Sequence, residues 1–226
     1  MKFRSPRTKT AAGLAGLMLV AFPLAACGSD DDSPERVNAV ASIDNLTGDM
    51  TQITVDDDFF PTLDSLGVTP GVIPDATLDG NVLSFPITGG HVSVFEPGSV
   101  PNYVTGTIFH ENSGLTLTAG DIEVELRNFN VDPEISLVYG DVVANGQVAA
   151  TSAPLFRLNG STLQPLKTEG DTAILEGTKV FISDVAAGLL NDTFGTDAIT
   201  DQVLVGVAKI TVKTKEDPAS RCSSTQ

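Results

Sequence analysis

Few side chains in this 226-residue sequence have the chemistry to ligate a metal or a cofactor. Apart from carboxylates, the candidates are two cysteines, two histidines and two tyrosines: Cys27, Cys222, His91, His110, Tyr103 and Tyr139. Zinc sites use several His or Cys ligands at short spacing, whereas these histidines lie 19 positions apart and the cysteines lie near the two chain ends. A two-histidine site completed by Glu96, Glu111 or Asp121 is geometrically possible, but the pattern predicts no metal site and no cofactor.

Catalytic motifs are also missing from the sequence. A serine nucleophile on a strained turn would show G-x-S-x-G, which the chain lacks, and the glycine pairs are not followed by the lysine and helix of a phosphate loop. A hydrolase would need His91 or His110 to meet a carboxylate and a hydroxyl in a cleft. We therefore predict a protein that is not an enzyme, with an envelope hydrolase as an alternative.

The N-terminus has the organisation of a secretory leader. Four basic residues and no acid lie in the first ten positions, and an apolar stretch of 16 residues runs from Ala11 to Ala26. Leu24-Ala25-Ala26-Cys27 then resembles the lipobox of bacterial lipoproteins. The resemblance implies that residues 1–26 are removed as a signal peptide, that Cys27 is acylated, and that the protein is anchored to the extracytoplasmic face of the cell membrane. An ordinary secretory cleavage, or a retained anchor helix, is the alternative.

Lipidation of Cys27 would leave Cys222 without a disulfide partner, in a polar tail of residues 216–226. We interpret Cys222 as an incidental tail residue, with an intermolecular bridge or a reactive thiol as the alternative.

Charge restricts the partners of the protein. The leader holds only positive charges, so the chain from Cys27 onward carries 29 acidic residues against nine Lys and Arg, a net charge of −20. This surface argues against nucleic acid and against lying flat on an anionic membrane. Residues 27–37 contain the small, acidic run GSDDDSPE and are typical of a flexible tether.

Most of the remaining sequence predicts short strands separated by turns. Ile122–Leu126 alternates apolar and acidic residues, as expected for a half-buried strand. Further strands are predicted at 52–55, 82–87, 91–95, 103–109, 115–118, 137–143, 153–158, 172–175, 179–182 and 203–212.

Two segments instead predict short helices, 55–68 and 183–195, each with acidic or serine cap candidates and a C-terminal glycine. Each follows a strand and precedes another, which indicates either a weak internal repeat or shared capping patterns. We predict one mainly β domain over residues 38–215, an antiparallel β-sandwich or partly closed barrel with two short helices.

One stretch carries a weak family resemblance. Gly106 to Val142 is similar to the haem-transport-associated domains of actinobacteria, in which a segment G-x-[IV]-x-F-x-x-H-x-G-x-L leads into paired strands. Gly106, Ile108, His110, Gly114 and Leu115 match it loosely, with a different spacing after His110. The chain does not show the aromatic N-terminal segment that supplies that family's haem-ligating tyrosine. If haem bound here, the candidate ligands in this sequence would be its histidines and tyrosines, His91, His110, Tyr103 and Tyr139.

These features predict a membrane-anchored, non-catalytic interaction or ligand-binding module whose partner is an unidentified protein or small molecule. The alternative is a carrier of haem or an apolar ligand in a cavity between sheets.

Overall fold

The computed structural model describes residues 37–214. Its elements, in chain order, are β1 (Ala41–Ile43), β2 (Asp49–Val55), α1 (Phe59–Ser65), β3 (Thr69–Ile73), β4 (Thr77–Asp79), β5 (Val82–Pro86), β6 (Gly89–Val94), β7 (Val104–Ala119), β8 (Ile122–Asp132), β9 (Leu137–Ala144), β10 (Gln147–Asn159), a 3-10 turn (Gly160–Thr162), β11 (Lys167–Glu169), β12 (Thr172–Ile182), α2 (Asp184–Phe194) and β13 (Leu204–Lys213). The leader, Cys27, Cys222 and the tail 216–226 lie outside the described residues.

All these strands belong to one antiparallel sheet. Its order is β1-β6-β7-β8-β9-β10-β12-β13-β2-β5-β4, with β11 added beside β12 and β3 beside β7. Strand β7 pairs with β6 along its first half and with β3 along its second half. Long strands are joined by tight turns because period-two patterning is interrupted by turn residues, such as Gly120 and Asp121 between β7 and β8.

The sheet curls until strands far apart in its order face each other. Phe85 on β5 makes an edge-to-face contact with Phe129 on β8, with ring centroids 5.4 Å apart. The His110 ring on β7 also meets Phe85, and its Nε2 lies 2.8 Å from Thr51 Oγ1 on β2. The structure therefore confirms the predicted mainly β, antiparallel fold. The sheet forms a half-barrel, which corresponds to the predicted partly closed barrel and not to the β-sandwich.

Two predicted strand pairs are continuous strands in the structure. The predicted strands 103–109 and 115–118 form β7, which is interrupted only by a bulge between His110 and Gly114. Likewise, 172–175 and 179–182 form β12 with an irregularity near Gly177. A bulge absorbs extra residues without ending the strand, so the break in the sequence pattern does not mark a break in the ladder. The short strands β1, β3, β4 and β11 are not among the strands predicted from the sequence.

Both predicted helices are present. Helix α2 begins after Ser183, whose Oγ accepts a hydrogen bond from Ala186 N at 2.9 Å, and ends at Gly195 in the left-handed conformation. Helix α1 follows Asp58, which makes no side-chain cap. Neither helix of residues 37–214 is long and apolar enough to cross a membrane.

The helices pack inside one end of the half-barrel. Phe59 and Leu63 of α1 and Leu190 of α2 are buried against the inner faces of the strands. The apolar side chains that meet there from the strands include Leu115, Leu117, Leu126, Phe156 and Ile182. This end is filled by side chains, and the other end of the half-barrel is not.

Candidate functional site

The interior beyond the helices contains a cavity of about 350 Å³. Its walls come from alternate residues of many strands, because side chains at i and i+2 point to the same face of a sheet. These pairs include Ile53 with Thr51, Leu83 with Phe85, Val92 with Val94, Phe129 with Val131 and Phe156 with Leu158. The lining is mostly apolar, and the volume is within the range of about 300–1,000 Å³ typical of small-molecule sites.

Connecting segments surround the cavity mouth. Residues 101–103 precede β7, Pro133 and Ser136 lie between β8 and β9, and Leu163 and Leu166 follow the 3-10 turn. The first two segments are joined by a hydrogen bond from Asn102 Nδ2 to the Glu134 carbonyl, at 2.6 Å. Pro101 and Asn102 are exposed, so solvent reaches this rim.

His110 lies deep in the cavity wall and is only 1% exposed. Burial lowers the pKa of His110 from 6.5 to about 4, and the Phe129 backbone opposes this shift to a smaller extent. The imidazole is therefore neutral at pH 7. Its Nε2 is hydrogen-bonded to Thr51 Oγ1, while its Nδ1 is buried without a partner of hydrogen-bonding geometry within residues 37–214. Ligation of a molecule in the cavity through Nε2 would require the bond to Thr51 to break, whereas Nδ1 has no hydrogen bond to lose.

Tyr103 stands at the cavity rim, directly before β7, and is half-buried. Its backbone carbonyl accepts a hydrogen bond from Phe95 N at 2.7 Å, which fixes its position. The phenol oxygen makes no hydrogen bond to any of the described residues. Tyr103 therefore presents a polar group at the edge of an otherwise apolar cavity.

The other two predicted ligands lie elsewhere. His91 is an exposed residue of β6, opposite Thr107 on β7, and does not line the cavity. Tyr139 lies on β9 between the buried Val138 and Gly140, so its side chain is on the outer face of the sheet. The structure thus brings Tyr103 and His110 to one cavity and places His91 and Tyr139 outside it.

The aromatic residues of the cavity floor are not among the site residues predicted from the sequence. Phe129 makes edge-to-face contacts with Phe85 and with Phe156, the latter at 5.7 Å between centroids. Each of these phenylalanines occupies an inward-facing position of a strand with alternating apolar residues. This alternation is the sequence pattern that indicates their burial. Their convergence depends on how the sheet curls, so no local pattern indicates it.

The structure also gives a reason for one residue of the motif around His110. Gly106 adopts a φ of 119°, and a Cβ added there would lie 2.1 Å from the His91 carbonyl oxygen of the paired strand. Only glycine fits such a close approach of two backbones.

The described residues contain no cluster of carboxylates and histidines that would form a metal site. Within residues 37–214, no three His, Cys, Asp or Glu side chains are placed to hold a metal ion. The hydroxyl of Thr51 contacts His110, but no acidic side chain bonds to that imidazole in the described part of the chain.

Comparisons with known proteins relate the chain to others only through its fold. No protein-family model matches the sequence, and no curated protein is significantly similar to it. The C-terminal domain of HtaA from Corynebacterium glutamicum superposes with a TM-score of 0.52 at 16% identity, covering 75% of this chain and 98% of that one. The heme binding protein HtaB from the same organism gives a TM-score of 0.47 at 9% identity, with 76% and 96% covered.

The likeness to the HtaA domain shows a shared fold. It is consistent with the resemblance between Gly106–Val142 and haem-transport-associated domains. At this identity it assigns no role to any residue.

Proposed function

We propose that this protein is an extracytoplasmic lipoprotein that binds an apolar small molecule in its half-barrel cavity, and that haem is the ligand to test first. The observation that carries the proposal is the mostly apolar cavity with the unpartnered phenol of Tyr103 at its rim. Of the predicted alternatives, this arrangement favours a carrier over a module that binds only other proteins. Haem is the first ligand to test because the Gly106–Val142 segment resembles the haem-transport-associated domains.

Haem suits the chemistry of this cavity. Its porphyrin is planar and mostly apolar, so it gains from contact with the aliphatic and aromatic walls, and its propionates can remain at the solvent-exposed rim. A tyrosine oxygen is an established axial ligand of haem iron, and the phenol of Tyr103 is unengaged at the solvent-exposed rim of the cavity. The Nε2 of His110 would have to give up its bond to Thr51 before it could ligate iron, and its Nδ1 is buried in the cavity wall.

Haemin titration of the purified protein tests the proposal. We expect a saturable one-to-one shift of the Soret band, and we expect Tyr103→Phe to weaken binding by about tenfold or more, or about 1.4 kcal/mol. Tyr139→Phe is the matched control, because Tyr139 is the other tyrosine of the chain and lies on the outer face. Equal affinities and spectra for the two variants would contradict iron ligation by Tyr103.

A second variant tests the cavity itself. Leu175 is half-buried in its wall, and the chain contains no tryptophan, so Leu175→Trp both fills space and adds a single fluorophore. We expect this variant to bind haemin more weakly, or to lose its fluorescence when haemin enters. Unchanged affinity together with unchanged fluorescence would place the ligand elsewhere.

Anchoring is tested separately from ligand binding. In its native host, we expect Cys27→Ser to abolish partition of the protein into detergent, because one free hydroxyl replaces the acylated thiol. Cys222→Ser is the matched control and should partition normally. Mass spectrometry of the extracted wild-type protein should find an acylated N-terminal Cys27, and an unmodified residue there would refute the lipoprotein assignment.

A further inference from the structure

A second, polar groove lies on the outer face of the sheet, across β7, β8, β9 and β10. It has a volume of about 430 Å³, and of its lining residues only Phe129 also lines the cavity. Tyr139 and Asp141 line it and alternate along β9 with Val138 and Val142, which are buried in the interior. The groove therefore opens on the side of the sheet opposite to the proposed haem site.

Neighbouring bulges shape this groove. The strand registers shift between His110 and Gly114, between Arg127 and Asn130, and between Ala150 and Ala153. At these places Asn112, Asn128 and Ser152 have positive φ angles of 59°, 56° and 48°. Bulges bend a strand and redirect its side chains, so their coincidence on neighbouring strands makes a depression in an otherwise regular surface.

Hydrogen bonds hold the bulges in place. Asn128 Oδ1 accepts from Asn112 N at 3.1 Å, and Asn128 Nδ2 donates to Asp141 Oδ2 at 3.0 Å. Asp141 Oδ1 in turn accepts from Ser152 N at 3.1 Å. Asn128 and Asp141 therefore form the framework of the groove.

Two aromatic residues flank an amide in this groove. Phe109, Asn130 and Tyr139 are direct cross-strand partners on β7, β8 and β9. Because neighbouring strands are about 4.8 Å apart, the two rings originate about 10 Å from each other with the amide between them. Phe109 is 37% exposed, so part of its ring is accessible to a ligand in the groove.

Several polar groups of the groove remain available to a ligand. Asn130 Oδ1 accepts a hydrogen bond from Thr107 Oγ1, which orients the amide and leaves its Nδ2 unengaged. The side chains of Glu111 and Asn112 and the hydroxyl of Tyr139 also have no hydrogen-bond partner within residues 37–214. The groove thus offers both donors and acceptors between two aromatic surfaces.

We propose that this outer groove binds a neutral glycan. Sugar rings have an apolar C–H face that packs on aromatic rings and a rim of hydroxyls that bond to amides and carboxylates, and the groove supplies both kinds of contact. Glu111 and Asp141, on a strongly acidic chain, exclude phosphorylated, sulfated or uronic polymers through like-charge repulsion. This proposal does not rest on haem binding in the cavity.

Affinity electrophoresis of the full protein tests the proposal. Native gels would contain a neutral glucan, mannan or galactan, with polygalacturonate as the anionic comparison. We expect at least one neutral polysaccharide to retard the protein, and expect Phe109→Ala and Tyr139→Ala each to weaken the retardation by about tenfold. Val207→Ala is the matched control, since Val207 has the same exposed fraction of 37% and lies on β13.

Glu111→Ala distinguishes loss of glycan binding from loss of folding. The exposed Glu111 side chain makes no hydrogen bond or ion pair within residues 37–214, so its removal should not destabilise the fold. We expect it to weaken retardation while its thermal unfolding matches the wild type. The proposal is overturned if no neutral polysaccharide retards the protein, if only polygalacturonate does, or if the groove variants are retarded as strongly as Val207→Ala. Haemin titration of the groove variants separates this proposal from the proposed function. If the variants bind haemin as the wild type does, a change in polysaccharide binding cannot be attributed to the cavity.

Discussion

Replacing Phe129 by alanine is expected to lower the free energy of unfolding by about 3–5 kcal/mol. Phe129 is 6% exposed and forms edge-to-face contacts with Phe85 and Phe156. Each such pair contributes about 0.5–1.5 kcal/mol beyond the buried area. Because Phe85 and Phe129 come from opposite parts of the curled sheet, the truncation removes a contact that closes the half-barrel.

The neighbourhood of Phe129 has little freedom to fill the resulting space. A Cβ built on Gly140, on the adjacent strand, would lie 3.0 Å from Phe129 Cδ1, so the ring already packs directly against backbone. The void would also join the existing cavity, which Phe129 lines.

Urea unfolding monitored by circular dichroism measures the effect. Phe109→Ala is the matched control, because Phe109 lies on the adjacent strand with its side chain 37% exposed and should cost about 1 kcal/mol or less. Equal losses in the two variants would show that the aromatic cluster does not hold the sheet closed.

Acidification from pH 6.5 to pH 4 is expected to destabilise the wild-type protein by up to about 3 kcal/mol through His110 alone. Burial lowers the pKa of this imidazole to about 4 in the folded state, against 6.5 ordinarily. Between these values the unfolded chain binds the proton and the folded chain does not, so stability falls as the pH falls. The contribution is fully present above pH 6.5 and is lost below pH 4.

The same titration has a structural consequence for the half-barrel. Protonation would place a charge among Phe85, Phe129 and Thr51, where no acidic side chain contacts the imidazole within the described residues. The Thr51–His110 bond connects β2 to β7, so the acid-sensitive group lies at the contact that closes the sheet.

Equilibrium unfolding at several pH values, with haemin absent, tests this prediction. His110→Gln removes the titration while keeping a side chain that can bond to Thr51, so its stability should depend less on pH over this range. His91→Gln, at an exposed position, should keep the wild-type dependence. A His110→Gln profile parallel to the wild type would mean that other groups cause the acid sensitivity.

Local patterns predicted much of the secondary structure. Alternating residues such as Ile122–Leu126 identify strands because one face of each strand is buried. Ser183 and Gly195 mark the ends of α2 because a helix end leaves backbone groups that these residues satisfy or accommodate. Patterns failed where the ladder continued through a bulge, as in β7, because hydrogen bonding to the neighbouring strands compensates for the irregular residues.

The residues of the candidate site were harder to predict from the sequence than the secondary structure. His110 and Tyr103 were named for their chemistry, and so were His91 and Tyr139, which the structure places outside the cavity. Along β6, β7 and β9 all of them are simply strand or strand-end residues. Which face each one occupies depends on bulges and register, since a shift of one residue moves a side chain to the other side of the sheet.

The sequence by itself therefore determined the β-rich class, the ends of α2, the acidic charge and the small set of residues able to ligate a cofactor, because these depend on neighbours along the chain. Only the tertiary structure decided that Thr51, Phe85, His110 and Phe129 meet. It also decided that Phe109, Asn130 and Tyr139 form a row on the outer surface. Such contacts join residues from distant strands, and they follow from the curl and register of the whole sheet rather than from any local pattern.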